Sequence, residues 1–418
     1  MLIEKRLEKL LHGLRGEAGI PVRFEFWNGR TIDLAPRPVV SIRLSGPSAL
    51  PYLVAPSLGK LGEAYVEGHI DVEGGVRDIL RAGERLSVKA GASIRGRLPR
   101  LRITHSKRVD QGAIEYHYDV SNDFYALWLD RNMVYSCAYF KTGDEDIHTA
   151  QEQKLDHICR KLMLKPGERF LDIGCGWGAL VRWAAKHYGV DATGITLSKN
   201  QFEYAQRRIA DEGLASRCRV LLQDYRDVPG ENEYDKIASV GMFEHVGLKN
   251  LPVYFGAIHR LLKPGGIALN HGITSADVDS RWVGLGGGEF IDKYVFPHGE
   301  LPHLSLAVRE MAQQSLEVQD VESLRLHYAR TLWHWVDRLE ANQAQAEALA
   351  GRKRYRIWRV YLAGCAHAFE QGWVTIQQVL AFKNKAAGLS PLPWTREYIY
   401  NDRAAARPAH SAHAAHAA

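Results

Sequence analysis

The most regular pattern of apolar and polar positions lies in the middle of the chain. Phe170, Leu171 and Ile173 form a short apolar run that ends in glycines at alternate positions, Gly174, Gly176 and Gly178, within R-F-L-D-I-G-C-G-W-G. The segment ALVRWAAKHYG that follows has helical spacing, so the pattern predicts a strand, a tight turn and a helix. Glycine suits that turn because its backbone must reach conformations barred to other residues, and because a ligand can then lie against the main chain. Downstream, strand-like and helix-like runs alternate: VDATGIT, QFEYAQRRIA, CRVLLQD, YDKIASVG and GIALNHGIT, with LEVQDVES and VTIQQVLAFK adding the last two strands. This alternation predicts an α/β fold, a doubly wound parallel sheet whose ligands bind at the carboxyl ends of the strands.

The pattern upstream is different. Ile3, Leu7, Leu10, Leu11 and Leu14 recur at helical spacing among Glu4, Lys5, Arg6, Glu8 and Lys9. Such an amphipathic helix either packs on its own domain or a second subunit, or lies in a membrane interface. Short β-like runs follow, VRFEFW, TIDLA and VVSIRLS, broken by Asn28-Gly29 and by Pro36, Pro38 and Pro47, and GEAYVEGHIDVEGGVRDIL closes the region. Residues 1–92 therefore read as a small α+β domain, 93–112 as a connector, 113–400 as the main domain and 401–418 as a disordered, histidine-bearing tail. The aromatic-rich runs EYHYDVSNDFYALWLD and MVYSCAYF are either a lid over the glycine turn or a helix pair in the core. Ser280 to about Pro302, with Gly286, Gly287 and Gly288, reads as an insertion over the site, and lid or acyl-binding insertions are expected over about 280–345.

Composition narrows the class. The chain has 418 residues, 46% hydrophobic and 24% charged, which suits a folded two-domain protein. No apolar run approaches the roughly 20 residues of a membrane span, and the charged opening segment does not resemble a signal peptide. Cys137, Cys159, Cys175, Cys218 and Cys365 form no CxxC pair, which argues against a disulfide framework and a zinc site and for a reducing, cytoplasmic setting. The net charge of +6 is unevenly placed, with RGRLPRLRITHSKR between Arg95 and Arg108. On charge alone this connector suits nucleic-acid phosphates, anionic lipid headgroups or plain solvent.

The strand ends choose the ligand. Thr196 lies about 20 residues past the glycines, where nucleotide-binding folds read the ribose. Here Thr196 and Gln201 offer a hydroxyl and an amide in place of the usual acid, and the third strand ends on Gln223, Asp224 and Tyr225, beside the adenine. An acidic group there can accept from the exocyclic amine. The set favours S-adenosylmethionine over a dinucleotide. Glu244, in Met242-Phe243-Glu244-His245, follows the fourth strand, and His271-Gly272-Ile273 ends the fifth.

With these motifs in place, the chain resembles the cyclopropane-fatty-acyl-phospholipid synthases, within the class I S-adenosylmethionine-dependent methyltransferases. The resemblance rests on HYDVSNDFYALWLD, YSCAYF, LDIGCGWG, GITLSKNQ, LLQDYRD, SVGMFEHVG, FGAIHRLLKPGG, DKYVFPHGELP and HYARTLWHW, and on LGEAYVEGHIDVEG near the N-terminus. It implies a Rossmann-like seven-stranded sheet with helical lid insertions beside the small N-terminal domain. It also implies methylene transfer to the cis double bond of acyl chains in a phospholipid bilayer, by a homodimer at the inner face of the membrane. Cofactor contacts carry over to Tyr135, Ser136, Gly174, Gly176, Thr196, Leu197, Gln201 and Tyr225. A bound bicarbonate, the base of the reaction, is implied at Cys137, Glu244, His271, Ile273 and Tyr328. Methylene or methyl-branched products, amine methylation and a non-catalytic lipid binder are the other readings; a nucleic-acid partner is not expected.

Overall fold

The computed structural model describes residues 7, 9, 11–15, 20–91, 121–278, 287–295, 300–385 and 390–400. The basic connector and the histidine-bearing tail lie outside the described residues.

The N-terminal unit is a four-stranded sheet in the order β2-β1-β3-β4, from β1 (Val22–Glu25), β2 (Thr31–Asp33), β3 (Val40–Leu44) and β4 (Ile70–Glu73). Alternate side chains of β1 and β3 are buried, the period expected of a sheet covered on one face. Helices α1 (Leu58–Val66) and α2 (Val76–Lys89) accompany the sheet, α1 starting on Ser57, whose side chain accepts from Lys60 N. Leu7, Leu11 and Leu14 are buried in this unit's own core with Val22, Phe24 and Ile42. The described leucines of the first helix are thus spent on packing within this unit.

The second sheet has seven strands in the order β10-β11-β9-β8-β5-β6-β7. They are β5 (Arg169–Ile173), β6 (Asp191–Thr196), β7 (Cys218–Leu222), β8 (Tyr234–Val240), β9 (Leu262–Ser275), β10 (Leu316–Ser323) and β11 (Val374–Lys383). Strand β5 pairs in parallel with both β6 and β8, so connections leave it in opposite directions and a crevice opens at its carboxyl end. Helices α3 (Asn122–Ala126), α4 (Ile147–Lys161), α5 (Ala179–Tyr188) and α6 (Lys199–Asp211) precede or follow these strands. Ile158, Leu180, Val181 and Ala205 fill one side of the sheet. On the other side, α7 (Leu251–Leu261) and α9 (Leu304–Gln313) bring Tyr254, Phe255, Ile258 and Met311.

Two details depart from the pattern read in the sequence. Strand β11 is antiparallel to both β9 and β10, so the sheet is not wholly parallel. The expected insertion over 280–345 is also split: α8 (Gly287–Tyr294) precedes α9 and β10, which belong to the sheet layers, and the larger helical part follows them. That part is α10 (Arg325–Ala341), α11 (Gln343–Ala350) and α12 (Arg352–Glu370), ending well beyond residue 345. Both departures share one cause. A chain that leaves β10 at the carboxyl end and builds three helices there re-enters the sheet from that end, so β11 has to run back.

The three helices pack on α3 through Phe124, Tyr125, Trp128, Trp335 and Trp358, all buried, with the Trp128 and Trp335 rings 5.5 Å apart. Aromatic burial on this scale supplies much of the energy that holds the helical layer to the sheet. Helix α12 also holds the N-terminal unit: Arg356 donates to Tyr65 O at 2.6 Å and to Asp71 Oδ1 at 2.9 Å, and Arg359 donates to the Tyr65 hydroxyl at 3.1 Å. On α8, Lys293 meets Glu63 at 2.8 Å and Tyr294 donates to Glu67 at 2.7 Å. Among the described residues, no helix is long and apolar enough to cross a membrane.

Candidate active site

The turn after β5 uses its glycines in three ways. Gly174 has φ +81°, and a Cβ there would stand 2.8 Å from Met242 Cβ. Gly176 has φ +55° and lines the cavity, with nothing within 4 Å of the place a Cβ would take, so the backbone there is open to the cavity. Gly178, expected to touch the cofactor, does not line that cavity. It is the N-cap of α5, and a Cβ there would stand 3.0 Å from Ala205 Cβ on α6, so its role is close packing of the two helices.

The cavity at the carboxyl ends of β5, β6 and β7 measures about 140 Å³ and is lined by Tyr135, Ser136, Thr196, Leu197, Gln201, Gln223, Asp224 and Tyr225 as well as Gly174 and Gly176. Thr196 Oγ1 donates to Gln201 Oε1 at 2.9 Å, so the pair acts as one unit whose amide NH2 is the outward donor. Gln223 Nε2 donates to Asp227 O at 2.9 Å. Asp224 is already engaged: Arg226 Nε reaches Oδ1 at 2.8 Å and Nη2 reaches Oδ2 at 2.6 Å. Its carboxylate is held rigid by that fork.

Two lining residues were not read from the sequence. Lys154 on α4 is 2% exposed and donates to Ser136 Oγ at 2.7 Å; burial pulls its ammonium down to about 8. Asp172 on β5 is buried and is pushed up to about 7 by loss of solvation, against the pull of Lys154. A signal for Lys154 existed: it interrupts the buried stripe of Ile147, Ala150, Gln151, Leu155 and Ile158 along α4. Beneath the cavity, it fixes the seryl group that separates the two halves of the site.

The second half is a larger apolar cavity of about 270 Å³ that shares Tyr135, Ser136, Gly241 and His245 with the first. Glu244, His271, Ile273 and Tyr328 stand on its wall. Glu244 sits on the short turn after β8, which packs so tightly that a Cβ on Gly272 would be 2.7 Å from the Phe243 ring. Its Oε1 accepts from Ile273 N at 2.6 Å. Although Glu244 as a residue keeps some exposure, Oε2 is buried without a partner, and burial pushes the carboxyl up to about 7. His271 on β9 is fully buried, and Gln378 Nε2, directly opposite on β11, donates to its Nδ1 at 2.9 Å. Burial holds the ring well below the usual histidine range, so it is neutral, its proton lies on Nε2, and that atom too has no partner. Tyr328 on α10 packs its ring 4.8 Å from Phe369.

Cys137 is placed differently. It is fully buried, lines neither cavity, and its thiol donates to Ala138 O at 3.2 Å and toward Leu324 O at 3.8 Å. Burial pushes that thiol up, so it stays protonated. In the described part of the aromatic runs, Phe124 and Tyr125 are core, while Tyr135 and Ser136 line the cavity; residues 115–120 lie outside the described residues.

A glycine turn from β5 into α5, strand-end polar groups beyond it and a reversed seventh strand define a class I S-adenosylmethionine-dependent methyltransferase. Residues 105–379 match the family described as mycolic acid cyclopropane synthetase, and the chain belongs to that family. Residues 10–87 match a separate family described only as a domain of unknown function. The chain is 50% identical over 381 residues to a probable fatty acid methyltransferase of Pseudomonas putida, covering 91% of this chain and 96% of the relative. It is 39% identical over 341 residues to the cyclopropane-fatty-acyl-phospholipid synthase of Escherichia coli, covering 80% and 85%. The solved mycolic acid cyclopropane synthase CmaA1, complexed with SAH and CTAB, matches with a TM-score of 0.62 and 36% identity, covering 65% of this chain and 98% of that one.

Proposed function

We propose that this protein transfers a methylene group from S-adenosylmethionine to the cis double bond of unsaturated acyl chains in membrane phospholipids, forming a cyclopropane ring. The observation that carries the reading is the junction of a nucleotide cavity and an apolar cavity, with Glu244 Oε2 and His271 Nε2 partnerless on the apolar side. The name of the Escherichia coli relative and the amphiphile in the solved mycobacterial complex support an acyl substrate.

S-adenosylmethionine supplies an electrophilic methyl on sulfur. The glycine turn and the Thr196–Gln201 pair hold the nucleoside, while the apolar walls hold the double bond in line and keep water out. A carbon–carbon bond forms as the sulfur–carbon bond breaks, leaving a cation on the acyl chain. Loss of a proton from the new methyl then closes the ring with the electron pair of that C–H bond. The partnerless Glu244 oxygen and His271 N–H fit a small oxyanion such as bicarbonate, which would supply the base. Neutral His271 donates to it, Tyr328 stands on the same wall, and Glu244 takes or shares the proton. Ile273 acts here through Glu244, since its amide is already given to that carboxylate.

The test is mass spectrometry of lipids from cells that lack ring-modified fatty acids and express this chain. One added methylene with loss of the double bond is the expected result; no change in any lipid would overturn the reading. A second outcome has its own support in the Pseudomonas putida relative, named a fatty acid methyltransferase. A product that gains one carbon yet keeps a reducible double bond would show that the same cation is resolved as a branch.

Docking on the bilayer is assigned to the basic run Arg95–Arg108, because the described leucines of the first helix are buried at home. Binding to anionic vesicles should fall by about tenfold or more when salt rises from tens to hundreds of millimolar. Binding indifferent to salt would remove the electrostatic part of this proposal.

A further inference from the structure

The apolar cavity does not end inside the methyltransferase sheet. It continues into the N-terminal unit, where Val40 and Ile42 of β3, Ile70 and Val72 of β4, Leu61 of α1 and Ile79 of α2 line it. These positions belong to a unit matched only to a domain of unknown function, and the CmaA1 structure covers just 65% of this chain. The cavity is one space from Glu244 and His271 to this wall. Its far walls are mostly hydrocarbon; of the polar groups there, Arg359 is spent on Glu340 and the Tyr65 hydroxyl and Asp292 is exposed, so a polar headgroup buried against the hydrocarbon would find little to replace its hydration.

Helix α12 runs along the space. Phe369, against Tyr328, marks the reacting end, and Val360 marks the far end, where a Cβ on Gly62 of α1 would stand 2.9 Å from Val360 Cγ1. Nine residues of helix separate them, about 14 Å. Between them Gly364 lines the cavity, and nothing lies within 4 Å of the place its Cβ would take. Glycine inside a helix costs roughly 1 kcal/mol relative to alanine. No protein packing requires it here, so what it keeps open is the cavity.

We propose that the N-terminal unit is an acyl-chain gauge: its sheet and helices receive the methyl-terminal segment of the substrate beyond the double bond, and Gly364 leaves the passage to it. The proposal rests on the acyl reading of the site given above. The wall is fixed in place by the Arg356, Lys293 and Tyr294 contacts that join the two units, so the depth of the space is set by the fold. Substrates are then sorted by the number of carbons past the double bond.

The experiment is a competition in one vesicle of phosphatidylethanolamine and phosphatidylglycerol. Two monounsaturated chains share the double-bond position and differ by two methylenes on the methyl side, and mass spectrometry reads the ratio of products. Gly364→Phe should shift that ratio toward the shorter chain by about tenfold, the worth of two methylenes denied their burial. Ile79→Ala, which deepens the far wall, should shift it toward the longer chain. Because both substrates meet the same enzyme in the same bilayer, partial unfolding or weak docking cannot move the ratio. A ratio unchanged in Gly364→Phe, or equal loss on both chains, overturns the gauge and leaves the function standing. Failure of the unaltered protein to modify either chain overturns the acyl reading and the gauge with it.

Discussion

Glu244→Gln is expected to lower turnover about a thousandfold while S-adenosylmethionine still binds, because general acid–base groups of this kind contribute roughly 10²- to 10⁴-fold. Glutamine keeps an oxygen for the Ile273 amide, so the turn after β8 keeps its shape; what it loses is the ability of Oε2 to take a proton. Single-turnover kinetics with a separate binding titration would separate the two. Exhaustive removal of carbon dioxide and bicarbonate from the assay should mimic the defect in the unaltered enzyme, and restoring the salt should reverse it. If turnover survives the substitution, proton removal lies elsewhere.

The same substitution has an opposite effect on stability. The folded carboxyl titrates at about 7 against 4.5 for a free glutamate, so the folded state holds a proton that the unfolded chain has given up. Stability therefore falls as pH rises through the window between those values, and the full penalty is present above pH 7. That penalty is of the order of 3 kcal/mol. Glutamine does not titrate, so the variant should be more stable than its parent at pH 8 and about equal to it at pH 4. Thermal melts at both values check this, and a variant less stable at pH 8 would show that Oε2 has a stabilising partner.

Gly174→Ala should weaken S-adenosylmethionine binding by at least about 30-fold. The left-handed backbone costs a non-glycine residue roughly 1 to 2 kcal/mol, and overpacking against Met242 adds roughly 1 to 3 kcal/mol. Relief comes by moving the turn, and the turn is the floor of the nucleotide cavity. Gly176→Ala is the informative partner: its Cβ meets no protein atom, so the apo protein should tolerate it better while ligand binding still suffers. Calorimetric titration of both variants distinguishes a collapsed turn from a blocked one.

The nucleotide half was legible in the sequence because a single local motif builds it. Gly174, Gly176, Thr196 and Gln201 follow one another along strand and helix, and their spacing carries the geometry. The apolar half is assembled from residues distant in sequence: Glu244, His271 and Tyr328 stand on one wall with Ile42 and Gly364. Their place at strand ends pointed to Glu244 and His271, the family resemblance alone to Tyr328, and nothing pointed to the last two. A lysine in a helix usually reads as solvated, and only the apolar stripe that Lys154 interrupts speaks for its burial. Gly178 was misplaced for the opposite reason, since alternate glycines look alike until their neighbours are known. The reversal of β11 could not be read from its composition, because a buried strand shows the same apolar run in either direction.

The contacts that seat the N-terminal unit carry a consequence for synthesis. Asp71 and Arg356 are 285 residues apart, and Tyr65 and Arg356 are 291 apart. At the usual rate of translation, the unit waits about 15 to 60 s on the ribosome before α12 emerges to cover it. During that interval the side of its sheet and helices that will face the cavity is open to solvent, and a nascent chain in this state offers chaperones and neighbouring polysomes a sticky apolar surface. Expression yield should therefore respond to growth temperature and chaperone supply more than the stability of the finished fold would suggest.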